Sequence, residues 1–144
     1  MLKVSKLADY AVMTVLKIAQ SPQALHSATD LVAVTRLNLP TLRKILKILS
    51  NKGILHAKRG SEGGYELVKD IKTLSVLDVV EAIDGQLAFT ECCEKGFKYC
   101  AVTNCQMSSY WHVINKKVRE TLNVFSIQEL INREINSKEI KHYD

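Results

Sequence analysis

The sequence predicts a mainly α-helical chain with one small β-hairpin, and three observations carry that expectation. Apolar residues recur at helical spacing through most of the chain. Two short strand-like runs, ILHAK and YELVK, flank the glycine-containing RGSEGG. Ahead of them stand two helical segments joined by a tight turn, the second with Arg43, Lys44 and Lys47 on the side away from its apolar residues. Together these make a winged helix-turn-helix, with the hairpin as the wing. A long C-terminal helix suited to dimerisation follows.

Taken in order, Ser5 caps a first helix in which Ala8, Ala11, Val12, Val15 and Ala19 share a face down to Gln20. Pro22 lies in the break. Ser27 with Asp30 gives the [ST]-x-x-[DE] start of a short helix to about Val34. Pro40 sits in the first turn of a third helix, where its missing N–H does no harm. That helix buries Leu42, Ile45, Leu46 and Leu49 and stops at Gly53. Beyond the hairpin, Ser75 with Asp78 starts a fourth helix holding Val76, Leu77, Val79, Val80 and Ile83 inside, with Gly85 at its end. Residues 86–107 lack periodicity. From about Ser108 a long helix carries Trp111, Ile114, Val118, Leu122 and Phe125 as one stripe, with Lys116, Lys117, Arg119 and Glu120 on the other face. A narrow stripe on a polar helix suits a partner helix, most simply its own copy across a two-fold axis. Ser126 with Glu129 caps a last short helix, and the tail from Asn132 is polar and expected to fray. The expected division is residues 1–85 for a DNA-binding domain, 86–107 for a cysteine-rich loop and 108–144 for the dimerisation helix and C-terminal helix.

The 144 residues suffice for one domain with a true core, and 47% apolar composition excludes wholesale disorder. No apolar run reaches the roughly 20 residues that span a bilayer, and the start MLKVSKLADYAVM lacks the pattern of a signal peptide. A cytoplasmic chain with no membrane partner is expected. The net charge of +5 is uneven: residues 1–72 hold 12 Lys and Arg against 5 Asp and Glu, and residues 73–144 hold 8 against 10. The basic half is the one that reads as a DNA binder, as phosphate neutralisation requires.

All four cysteines, Cys92, Cys93, Cys100 and Cys105, fall in the aperiodic stretch. In a reducing compartment clustered thiols more often bind metal or do redox work than form structural disulfides. Three chemistries are open on the residues alone: an iron–sulfur cluster, a metal-free thiol/disulfide switch and a zinc site. Paired C-x-x-C spacing, which zinc sites favour, is absent. Adjacent side chains generally diverge, so Cys92 and Cys93 are not expected to serve one cluster together. No P-loop, C-x-x-C redox pair or H-E-x-x-H pattern occurs, and the histidines form no constellation with the thiols, so neither an enzyme nor a small-molecule substrate is expected.

The stretch LPTLRKILKILSNKGILHAKRGSEGGYELVKD resembles the helix, wing and G-G-Y pattern of the Rrf2 family of winged-helix regulators. LADYAVMTVLKIA resembles its first helix, and SVLDVVEAIDG, the thiol loop and a helix opening near Trp111 follow in the same order, over about residues 1–131. ECC with Cys100 and Cys105 is most similar to the branch that regulates SUF iron–sulfur assembly. The resemblance implies a homodimeric DNA-binding transcriptional regulator, a repressor in its commoner mode, acting on double-stranded promoter DNA. It implies one iron–sulfur cluster per subunit, 2Fe-2S or 4Fe-4S. It also implies DNA contacts at Thr41, Arg43 and Lys44 on the third helix and Lys58 and Arg59 on the wing. The implied cluster ligands are Cys92, Cys100 and Cys105, with Cys93 as the alternative to Cys92. The family's IscR branch places a histidine three residues after its last cysteine, where this chain has Ser108. The NsrR branch uses a partner-subunit acid from the first helix, and Asp9 holds the matching place here.

Overall fold

The computed structural model describes residues 3–98, 100, 102 and 104–136. Helix α1 spans Lys6–Ala19, α2 Ala28–Thr35 and α3 Leu39–Asn51; strands β1 and β2 span Leu55–Lys58 and Gly64–Leu67; helices α4, α5 and α6 span Val76–Asp84, Met107–Asn123 and Ile127–Asn136. A single 3₁₀ turn, Glu91–Cys93, lies between α4 and α5. Within the described residues no helix is long and apolar enough to cross a membrane.

Local chemistry accounts for most helix starts. Ser5, Ser27, Asn38 and Ser75 each accept a hydrogen bond from a first-turn N–H, and Ser75 with Asp78 completes a reciprocal capping box. Arg36, in the left-handed region at φ 58°, ends α2 and turns the chain into α3. Ala11, Val15 and Ile18 of α1, Leu31 of α2, Leu42, Ile45, Leu46 and Leu49 of α3, and Leu74 and Val79 fill the core. Each fully buried Leu or Ile contributes about 1.5–3 kcal/mol. Val76 and Val80 are not inside, as their spacing suggested; both are half-buried and line surface grooves beside α1. Helix α6 continues past the expected end of order at Ile131 to Asn136, and the remainder of the tail, with His142, lies outside the described residues. Ile127 and Ile131 belong to the same core as α1, and two hydrogen bonds fasten α6 to the start of α4: Val76 N to Phe125 O (2.9 Å) and Ile127 N to Leu74 O (2.8 Å).

The wing is an antiparallel pair in the register Leu55↔Leu67 to Lys58↔Gly64. His26, on the α1–α2 connection, exchanges two 2.9 Å hydrogen bonds with Tyr65 and ties the wing to the helices. This explains the paired glycines. A Cβ at Gly63 would stand 2.1 Å from the Lys58 carbonyl oxygen, and one at Gly64 would stand 2.7 Å from that of His26. Gly64→Ala is therefore expected to separate the wing from the α1–α2 connection at a cost of about 2 kcal/mol. Thermal unfolding would show a fall of about 6 °C, and an unchanged melting temperature would mean the bridge carries little.

Candidate nucleic-acid interface and thiol site

Because α3 turns Leu42, Ile45, Leu46 and Leu49 inward, it turns Arg43, Lys44 and Lys47 outward, and all three are exposed. Thr41 is half-buried in the first turn, its N–H donating to Asn38 Oδ1 at 2.9 Å. Lys58 ends β1 and Arg59 begins the wing tip, both exposed. Among the described residues none of these cations is engaged in an ion pair. Free guanidinium and ammonium groups on a helix that fits a major groove, beside a basic hairpin, are equipped for bidentate base contacts and phosphate anchoring. Exposed Lys47 adds a cation to this face beyond the residues that the resemblance implies, and exposed Arg36 stands in the turn that leads into α3.

The cysteine-bearing segment is strapped to α4 and α5. Leu87 N donates to Glu81 Oε1 (2.8 Å), and Arg119 forms a half-buried two-point ion pair with Glu81, its Nη2 3.1 Å from Oε2. Arg119 therefore does not stand on the solvent face with Lys116 and Lys117. Phe89 N donates to Oδ1 of Asn115, 6% exposed, at 3.2 Å, and the Phe89 ring stacks on Trp111 with centroids 6.5 Å apart. The apolar stripe of α5 is thus largely used within its own chain: Trp111, Val118, Leu122 and Phe125 are half-buried. The outward apolar residues are Met107, Tyr110, Val113 and Ile114, at 50%, 62%, 60% and 41% exposure. None of these tertiary ties has a signal in sequence spacing.

All four cysteines are free: Cys93 buried, Cys92 and Cys105 half-buried, Cys100 exposed. The adjacent pair does not diverge as expected. Thr90 Oγ1 lies 2.9 Å from Cys92 Sγ and 3.5 Å from Cys93 Sγ. The Thr90 hydroxyl holds the Cys92 thiol below its ordinary pKa, with Ser108 and Cys93 adding to the effect against some desolvation. Cys93 also faces a cleft of about 450 Å³ between α4 and α5, shared with Glu81, exposed His112, Asn115 and Arg119. Asp9 is exposed in the first turn of α1, beside Val12, Val76 and Val80. Among the described residues, no three of the His, Cys, Asp and Glu side chains stand close enough to hold a metal ion. Soft thiolates in a loop suit iron–sulfur chemistry as donors, but one protomer does not bring three of them together.

A helix-turn-helix with a cationic second helix, followed by a basic wing, defines a winged-helix DNA-binding transcriptional regulator. Residues 4–133 match the Rrf2 family, described as "Iron-dependent Transcriptional regulator", and the chain belongs to that family. It is 24% identical over 138 residues to the HTH-type transcriptional regulator NsrR of Oceanobacillus iheyensis, covering 92% of each chain. To the regulator IscR of Vibrio vulnificus it is 27% identical over 131 residues, 90% of this chain and 77% of that one. In fold it is similar to CymR, the global cysteine regulator of B. subtilis, with a TM-score of 0.73 at 19% identity, covering 92% of this chain and 98% of that one.

Proposed function

We propose that this transcriptional regulator works as a homodimeric repressor that reads iron–sulfur cluster status, redox state or nitric oxide through its thiol loop. Its targets on this reading are promoters of iron–sulfur assembly genes in the cytoplasm. Residues 1–85 bind operator DNA, with Thr41, Arg43 and Lys44 in the major groove and Lys58 and Arg59 along the wing. Residues 86–107 carry the sensor, and the segment from 108 onward carries the dimer contact. The observation that carries the reading is the strapping of the cysteine segment to α5 through Phe89, Asn115 and Trp111, in a chain that presents exposed cations on α3 and the wing. What happens at the thiols is felt by the helix expected to set dimer spacing, and spacing decides which half-sites are met together.

The residues that would hold a cluster are Cys92, Cys100 and Cys105, with Cys93 as the alternative to Cys92 and the partner subunit's Asp9 as a hard, labile fourth donor. When bound, a cluster supplies a redox- and nitric-oxide-sensitive centre. The outward residues Met107, Tyr110, Val113 and Ile114 support a dimer contact along α5, with Ile114 shared with the Trp111 stripe. A second reading, a metal-free thiol/disulfide switch, is favoured by the convergence of Cys92 and Cys93 on Thr90.

The test is visible absorption and EPR of protein purified without oxygen, with iron and acid-labile sulfide assayed and operator binding compared with and without the cluster. Stoichiometric iron and sulfide with a change in operator affinity is the expected result. Protein that stays colourless after reconstitution sinks the cluster reading, and equal affinity of the two forms sinks the sensing.

A further inference from the structure

Two of the four thiols, those of Cys92 and Cys93, meet a common partner. Cys92 and Cys93 share the Thr90 hydroxyl, whose oxygen lies 2.9 and 3.5 Å from their sulfurs. The turn that aims them is held by Cys93 N donating to Thr90 O (2.9 Å) and Glu94 N to Glu91 O (3.0 Å). Just upstream, Phe89 is fastened to α5 by Asn115 and Trp111. Cys93 is 7% exposed, while half-buried Cys92 leaves an approach from solvent.

The number of donors narrows the ligand. Zinc calls for about four donors, and hard cations such as calcium call for about six to eight oxygens. Neither fits a pair of sulfurs that no third His, Cys, Asp or Glu joins among the described residues. A soft three-coordinate atom that brings its own third substituent needs two thiols and nothing else. Sulfurs on adjacent residues close a chelate ring around such an atom through a single peptide unit.

We propose that Cys92 and Cys93 form a vicinal-dithiol site for monosubstituted trivalent arsenicals, distinct from any role of Cys100 and Cys105. Binding is a condensation without change of oxidation state. An R–As(OH)₂ centre forms two As–S bonds and loses two As–O bonds, and the thiol protons leave with the hydroxides as two molecules of water. The site does not rest on an iron–sulfur cluster, and it is tested on iron-free protein so that the two questions are read separately.

The full chain, reduced and freed of iron, is treated with phenylarsine oxide and followed by intact mass. One equivalent is expected, surviving excess mercaptoethanol and released by dimercaptopropanol. Cys92→Ser and Cys93→Ser should each lose the monothiol-resistant adduct, whereas Cys100→Ser and Cys105→Ser should keep it. Alkylation of the wild-type adduct gives the same answer without any variant: Cys92 and Cys93 are protected, and Cys100 and Cys105 are modified. Retention in Cys93→Ser, loss in Cys100→Ser or Cys105→Ser, or protection of any other pair overturns the proposal.

Discussion

Alanine at both Arg43 and Lys44 is expected to weaken operator binding by about 100-fold near physiological salt. A well-placed Arg contact to a base is worth about 1–3 kcal/mol. Removing one phosphate anchor lowers the slope of log affinity against log salt by about 0.9. The double variant should therefore bind more weakly and with a flatter salt dependence. Its folding should be undisturbed, because both side chains are exposed and point away from Leu42, Ile45, Leu46 and Leu49; substitutions at such sites usually stay within about 0.5 kcal/mol. Fluorescence anisotropy with operator duplex at several salt concentrations, beside thermal unfolding, is the measurement. Full operator affinity in the double variant would move the interface off α3, onto the wing cations Lys58 and Arg59.

Arg119→Met is expected to loosen the thiol segment. Arg119 and Glu81 retain 29% and 20% side-chain exposure, so the pair is partly screened, and losing it should cost about 1–2 kcal/mol rather than the larger figure of a fully buried pair. Glu81 would keep only its hydrogen bond from Leu87 N. The more telling effect is local. Cys93, 7% exposed, should become alkylated several-fold faster, while the rate at exposed Cys100 stays the same. Equal acceleration at both would indicate general unfolding, and no acceleration at Cys93 would mean that Asn115 and the Phe89–Trp111 stack hold the segment by themselves.

Much of the fold was legible because its determinants are local. Ser5, Ser27, Ser75 and Pro40 mark helix starts through hydrogen bonds or ring geometry that span three or four residues. The α3 face was legible because one apolar stripe fixes where the cations go. The thiol site was legible in composition and not in geometry. Whether Cys92 and Cys93 diverge depends on a single hydroxyl, that of Thr90, and on a 3₁₀ turn held from α5. The Arg119–Glu81 pair joins residues 38 apart, so the helical period alone assigned Arg119 to solvent. Val76 and Val80 lie at the rim of the core rather than in it, because α1 covers α4 only in part. The Rrf2 pattern G-G-Y was visible as a motif, but its reason, the close passage of Lys58 and His26, exists only in three dimensions.

The return of α6 has a consequence for how the molecule is made. Ile127 and Ile131 complete a core begun by α1, and Phe125 and Ile127 clasp the start of α4. During synthesis the DNA-reading half therefore leaves the ribosome before it can close, and it waits for the thiol segment and α5 to emerge behind it. The four cysteines thus emerge before the core that α6 completes has closed. A nick in the cysteine segment would cut the chain without releasing either piece, since each supplies part of the other's interior.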